Sequence, residues 1–384
     1  MIDMMELFKW LAIIVLGISI GMFFASAIFF HSYSEQKNTF IISNSFLFGR
    51  QNEIRQLADR IRTGQSSAII SFFSEERTSI LGYLRNENPQ QREELYGDKP
   101  NKLIFSYLDI AFLDKACSPL QFWEMALAPL HRKMAPDSEL DQAYQAGKNN
   151  QFKKINLDIL FGLINEEGWR LVLMLDRFEE LLQRPLGENW EFITSFRLAA
   201  SRTPSPLVLI IATHLSLKQI HQKIQKISPS TSPVLSFIEA GTIYLLGNLS
   251  NAKMDQCLEQ EGLSIETRQS IKKMVGGHPY LLKLAIEELK KLSQGEKQKS
   301  FETIEKTFYD RIKPLVENAI KKSWTPRMCQ AFLAVVQQDD VLDFENELQK
   351  LSGLGIVVKD NGVWYNRIGI LARLMTDRQL LCQN

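Results

Sequence analysis

The 384-residue chain reads as an α/β protein: a parallel sheet covered by helices, then a small helical module and a C-terminal module of helices and a hairpin, preceded by one membrane-length apolar segment. Three observations predict this. WRLVLMLD and PLVLIIATH are near-continuous apolar runs of strand length, the pattern of strands buried on both faces of a parallel sheet. Segments of helical periodicity alternate with them, as parallel connections require. Leu7 to Phe30 supplies 24 residues with one charge, Lys9, where about 20 suffice to cross a hydrocarbon core.

The apolar segment comes first in the chain. Lys9 lies close enough to its end to snorkel, and Trp10 sits where an indole favours the headgroup boundary. Ala25-Ser26-Ala27 has the small-x-small form of a signal-peptide cleavage site, but the preceding MIDMME is acidic and the apolar run continues through Phe30. A transmembrane helix over residues 7-30 is therefore expected, with cleavage as the rival reading. Lys37, Arg50 and Arg55 follow it, so the positive-inside rule predicts a single-pass membrane protein with its N-terminus outside and its large domain cytoplasmic. Gly17, Gly21 and Ala25 form a small-residue stripe along which a second transmembrane helix would approach closely.

Composition bounds the remainder. With 45% hydrophobic and 23% charged residues, the chain after the apolar segment can bury a sizeable core. A net charge of +1 argues against coating nucleic acid. Cys117, Cys257, Cys329 and Cys382 are widely spaced with no CxxC, so neither a zinc site nor a disulfide framework is indicated and reduced thiols are expected.

A polar linker over 31-45 leads into FLFGRQNEIRQLADRI, where Ile54, Leu57 and Ile61 recur at helical spacing. SSAIISFF is a strand, SEERTSILGYLRN a helix, 86-102 a polar loop and KLIFSYLDIAFL a second strand. Pro119 to Leu130 is a helix, and the polar stretch Ala135 to Lys154 a surface insertion. The strands LVLMLD and LVLIIAT complete an α/β domain over 46-243. From Tyr244 the pattern turns helical, with Gly276-Gly277 breaking two helices, which gives a helical module over 244-311. Residues 312-384 hold two helices and then GIVVKDNGVWYN, whose Asp360-Asn361-Gly362 is a hairpin signal. Helices followed by a hairpin predict a winged helix.

In this architecture a phosphate-binding loop belongs after the first strand, with the form GxxxxGK[ST]. The eight residues there are Ser71-Phe72-Phe73-Ser74-Glu75-Glu76-Arg77-Thr78. Neither glycine is present, although backbone amides need glycine to curl round a phosphate. Glu75 and Glu76 bring like charge to that place, and each contact at ~4 Å costs on the order of 4 kcal/mol at an effective dielectric of 20. Arg77, Thr78 and Ser79 keep a cation and hydroxyls. Asp176 ends the strand LVLMLD where an Asp helps to hold Mg²⁺, but Arg177 follows it in place of a water-activating carboxylate. Glu179 and Glu180 read as a solvated helix face, and His214 and His278 as structural histidines.

Taken in order, these motifs resemble the STAND-type and related AAA-like P-loop ATPases of prokaryotes over about residues 46 to 370. Phe48-Gly49-Arg50 with Glu53-Ile54 resembles the family's FxGRxxEL motif, which lies beside the adenine. LVLMLDRFEELL resembles LLLDEFExLL with Arg177 in place of the usual acid. LVLIIATH resembles the sensor strand. Leu246-Gly247-Asn248-Leu249 and Gly276-Gly277-His278-Pro279-Tyr280-Leu281-Leu282 resemble the start of the helical lid and its GGxPxLL motif. The resemblance implies a P-loop NTPase-like domain with helical lid and winged helix, and Gly49, Arg50, Arg77, Thr78, Ser79, Asp176 and Pro279 as weak cofactor-binding candidates. No catalytic residue, metal site or cofactor is expected. The expected role is a membrane-anchored pseudo-ATPase acting as scaffold, sensor or regulatory subunit through protein contacts, in a defence or signalling setting.

Two alternatives stand beside it. One is an active ATPase that ligates Mg-ATP through a divergent loop. The other is a membrane-tethered DNA-binding regulator. Against the latter, DFENELQKLS carries Asp343, Glu345 and Glu347 against Lys350, so no nucleic-acid partner is expected.

Overall fold

The computed structural model describes residues 49–97, 100–200, 205–227, 235–245, 249–293 and 301–377. The chain divides into two compact units, Met1–Gln51 and Asn52–Asn384. Of the first, Gly49 to Gln51 are described, and Gly49 has a φ of 73°. Residues 7-30, with Gly17, Gly21 and Ala25, lie outside the described residues. The single-pass membrane placement is corrected here: no helix among the described residues is long and apolar enough to cross a membrane.

The second unit is built on a five-stranded parallel sheet. Its strands are β1 (Ser67–Ile70), β2 (Leu103–Asp109), β3 (Arg170–Asp176), β4 (Leu207–Thr213) and β5 (Thr242–Tyr244), in the order β2-β3-β4-β1-β5. The two apolar runs form its centre. Every residue of β4 is buried, as are Leu171 to Asp176 of β3. Both faces of these strands are covered, which is why their sequences lack the alternation of a half-exposed sheet. The pairing of β2 with β3 sets Asp109 beside Asp176, and β1 pairs with β4 from Ser67↔Ile210 to Ile70↔Thr213.

Around the sheet run α1 (Gln51–Thr63), α2 (Ser74–Leu84), α3 (Pro89–Tyr96), α4 (Pro119–His131), α5 (Glu139–Asn149), α6 (Lys154–Glu166), the single turn α7 (Pro185–Glu188), α8 (Trp190–Ala200) and α9 (Leu217–Ile227). Ile54, Leu57 and Ile61 of α1 are fully buried, as their spacing predicts. Ser118 starts α4 with a capping box to Gln121. Phe122, Trp123, Phe192 and Phe196 join α4 to α8 through ring contacts of 4.8 to 6.5 Å.

Three elements differ from expectation. The loop over 86-102 contains α3, started by Asn88, whose side chain accepts from the Gln91 amide. The insertion over Ala135 to Lys154 contains α5, capped in the same way by Ser138. β5 is a strand of three residues, too short to leave a periodic signal.

The C-terminal half continues with α10 (Asn251–Glu259), α11 (Ile265–Val275), α12 (Pro279–Ser293), α13 (Phe301–Ser323), α14 (Pro326–Gln337) and α15 (Glu345–Gly353). The hairpin of β6 (Val357–Asp360) and β7 (Val363–Asn366) and then α16 (Gly369–Asp377) follow. Asn361 and Gly362 take the positive φ values that a tight hairpin turn requires, 47° and 84°. Cys117 and Cys257 are free thiols, whereas Cys329 is disulfide-bonded, against the expectation of reduced thiols throughout.

Candidate functional site

The C-terminal ends of β1, β3 and β4 open onto one edge of the sheet, the edge at which open α/β sheets bind ligands. The connection after β1 is short. Ser71, Phe72 and Phe73 alone separate the strand from α2, which starts at Ser74, in the middle of the eight residues aligned with a phosphate loop.

That turn is closed by its own side chains. Ser71 donates from Oγ to Glu76 Oε2 at 2.8 Å and accepts the Phe73 amide at 3.2 Å. Arg77 points back under the turn, where Nη1 donates to the Ser71 carbonyl at 2.5 Å and Nη2 lies 3.7 Å from Glu179 Oε1. Glu76 and Arg77 are 3% and 2% exposed. A guanidinium so buried needs partners; the carbonyl and Glu179 supply them for Nη1 and Nη2, while Nε makes no hydrogen bond among the described residues.

Glu179 is 3% exposed, not a solvated face; Glu180 is half-buried. It belongs to a 3₁₀ turn over Phe178–Gln183 that directs it under the sheet edge. His214 Nδ1 meets its Oε1 at 2.7 Å. Burial by itself raises the Glu179 carboxyl, but the His214 hydrogen bond and the Arg77 charge outweigh it and bring the group down to about 2.

The end of β3 is arranged differently. Asp176, 0% exposed, accepts Thr78 Oγ1 at 2.5 Å and Tyr107 Oη at 3.1 Å on one oxygen, and the Arg177 amide at 2.9 Å on the other. Burial raises its carboxyl above the ordinary value, opposed by the Thr78 hydrogen bond and the Arg77 charge. Arg177 adopts a left-handed backbone, φ 53°, that turns its guanidinium away to Asp109, which it grips with two hydrogen bonds, one of them 2.6 Å from Nε. Phe112 covers the same guanidinium, with 4.7 Å from Cζ to the ring centroid.

The two phenylalanines of the turn reach the C-terminal half. Phe73 meets the His278 ring edge-on at 5.2 Å and lies 5.2 Å from the Tyr280 ring. Phe72 lies 6.1 Å from Trp324, which lies 5.3 Å from Phe332. The GGHPYLL segment therefore packs directly on the turn after β1. Its glycines have a steric reason: both have positive φ, 59° and 76°, and a Cβ on Gly276 would stand 1.8 Å from the Arg367 carbonyl oxygen.

Of the candidate residues, the fold brings Arg77, Thr78 and Asp176 together. Ser79 points elsewhere, its hydroxyl bonded to the Glu75 carbonyl at 2.7 Å. Pro279 opens α12, where proline's missing amide costs nothing. Gly49 and Arg50 precede α1. No cluster of three or more His, Cys, Asp or Glu side chains suited to a metal occurs among the described residues. Sequence reading missed Tyr107, Asp109 and the pairing of Glu179 with His214. A run such as LIFSYLD with polar residues at its C-terminal end is the signal that would have found the first two.

A parallel sheet in this order, with a turn and helix after β1 and an Asp at the end of β3, defines a P-loop ATPase-like fold. Residues 162–373 match the AAA-like domain family, which is more than half of the chain, and the chain belongs to that family. Among solved structures it is similar to the Walker-type ATPase PABY2304 of Pyrococcus abyssi, with a TM-score of 0.54 and 14% identity over 86% of this chain and 96% of that one. The ORC2 protein of Aeropyrum pernix in its ADPNP-ADP complexes matches at a TM-score of 0.49 and 12% identity, covering 87% and 94%. At these identities the likeness extends to the fold alone. No curated protein matches the chain.

Proposed function

We propose that this AAA-like protein does not run a nucleotide-hydrolysis cycle and acts through protein contacts as a scaffold, sensor or regulatory subunit. The observation that carries this reading is the turn after β1: three residues long, without glycine, and filled by Glu76, Arg77 and Phe73. A triphosphate does not fit these residues. The turn lacks the glycines that let amides curl around an anion, and the buried Glu76 carboxylate stands beside the place where phosphate charge would lie. Arg177, committed to Asp109, supplies no base for an attacking water.

In this reading the aromatic contacts of Phe72 and Phe73 take over the joining of core and lid. The resemblance to STAND-type ATPases, with a winged helix formed by α14, α15 and the β6–β7 hairpin, is part of the same proposal. The acidic residues of α15 are turned to internal pairing: Glu345 bonds Lys359 at 2.9 Å and Trp364 at 3.1 Å, and Glu347 lies 3.5 Å from Arg327. That favours packing over contact with a phosphate backbone.

One observation favours a second reading. The 2.5 Å bond between Thr78 and Asp176 is the hydroxyl–carboxylate pair at which an ATPase of this fold would hold Mg²⁺. Under it, Arg77, Thr78 and Ser79 would ligate phosphate once Glu76 moved away. An ATPase assay on the purified chain separates the two. The pseudo-ATPase reading expects no turnover; hydrolysis that Asp176→Ala abolishes would overturn it.

A further inference from the structure

The sheet edge also borders a cleft that none of the residues 71 to 78 lines. It has a volume of about 550 Å³ and lies between the ends of β1, β4 and β5 on one side and α13, α14 and α15 on the other. That size is in the range of small-molecule sites, about 300–1,000 Å³. From the core side it is lined by His214, Lys218 and Tyr244, and from the C-terminal side by Met328, Glu347 and Lys350.

Charge decides the class of ligand. Lys218 and Lys350 are exposed, and among the described residues neither has a carboxylate partner. Glu347 is the one carboxylate among the lining residues, and Arg327 stands 3.5 Å from it. The lining is thus net positive, from two lysines on opposite walls. His214 adds a directed group. Its side chain is 10% exposed, Nδ1 is held by the buried Glu179, and Nε2 makes no hydrogen bond among the described residues. A carboxylate on one ring nitrogen fixes the orientation of the ring and leaves the other nitrogen for a ligand. Tyr244, 41% exposed, offers an apolar surface beside these groups.

We propose that this cleft binds a small phosphate-bearing metabolite, whose phosphate is held by Lys218 and Lys350 and donates from a P–OH to Nε2 of His214, and whose organic part lies against Tyr244. The ligand contacts the core and the C-terminal helices at once, so its binding tightens the junction between them. The site does not depend on the fate of the turn after β1, and it stands whether or not the chain hydrolyses nucleotide.

Titration calorimetry of the full chain with inorganic pyrophosphate at low salt tests it. Binding at one site is expected, weakened by at least about tenfold in Lys218→Gln/Lys350→Gln, because charge-assisted bonds to phosphate are lost from both walls. The control Lys321→Gln/Lys322→Gln removes two exposed lysines of α13 and is expected to leave the affinity within about twofold. His214→Gln is expected to weaken binding too; the exposed lysine pair carries the test if that variant does not fold. Absence of binding to the native chain, or equal weakening by the control pair, would overturn the proposal.

Discussion

The ends of β1 and β3 stand on the same edge of one sheet, separated by β4, and they have opposite characters. At β3 a buried carboxylate gathers hydroxyls from Thr78 and Tyr107, and Asp176 remains where a metal-binding Asp belongs. At β1 the protein has turned inward: Glu76 and Arg77 fill the turn, and Phe72 and Phe73 engage the C-terminal half. A strand-end Asp is kept in place by ordinary satisfaction of hydrogen bonds and needs no ligand. A phosphate-binding loop needs glycines that let its amides curl round the anion, and this turn has none; its own side chains pack it instead.

The largest effect is expected where the β1 turn meets the C-terminal half. Phe73→Ala empties a site 1% exposed and should lower stability by about 3–5 kcal/mol in denaturant unfolding. Arg77→Met leaves Glu179 buried with His214 as its remaining side-chain partner, and a loss of about 3 kcal/mol is expected. A phosphate-liganding arginine kept for function would instead be nearly neutral for stability, so this variant sharpens the contrast.

Acid tests the same pair. Because the folded Glu179 lies at about 2, below its ordinary 4.5, its contribution is complete above pH 4.5 and is lost as pH falls toward 2. The loss is on the order of 2–3 kcal/mol, and Glu179→Gln should remove that part of the acid sensitivity in melts between pH 5 and 3. At the β3 end the effect is smallest. Thr78→Val takes one of three hydrogen bonds from Asp176 and should cost about 1 kcal/mol. A much larger loss would mean that Thr78 and Asp176 form a stressed, functional pair.

The centre of the fold was legible because LVLMLD and LVLIIAT are apolar without interruption and α1 keeps strict helical spacing. α3 and α5 were hidden by polar residues, since their exposed surfaces leave caps such as Asn88 and Ser138 as the main signal. The site was legible in part. The missing glycines and Arg177 stand in the sequence, but the pairing of Arg77 with Glu179 and of Glu179 with His214 joins residues far apart along the chain. Glu179 reads as a surface residue until His214, 35 residues on, is brought against it.

The central claim is that the turn after β1 has no place for a triphosphate. Calorimetric titration of the native chain with Mg-ATP tests it most directly. The account predicts no binding heat that depends on the turn, so that any heat at millimolar nucleotide is unchanged in Arg77→Met and Thr78→Val and lost in Lys218→Gln/Lys350→Gln; a one-site isotherm that Arg77→Met or Thr78→Val abolishes would contradict it.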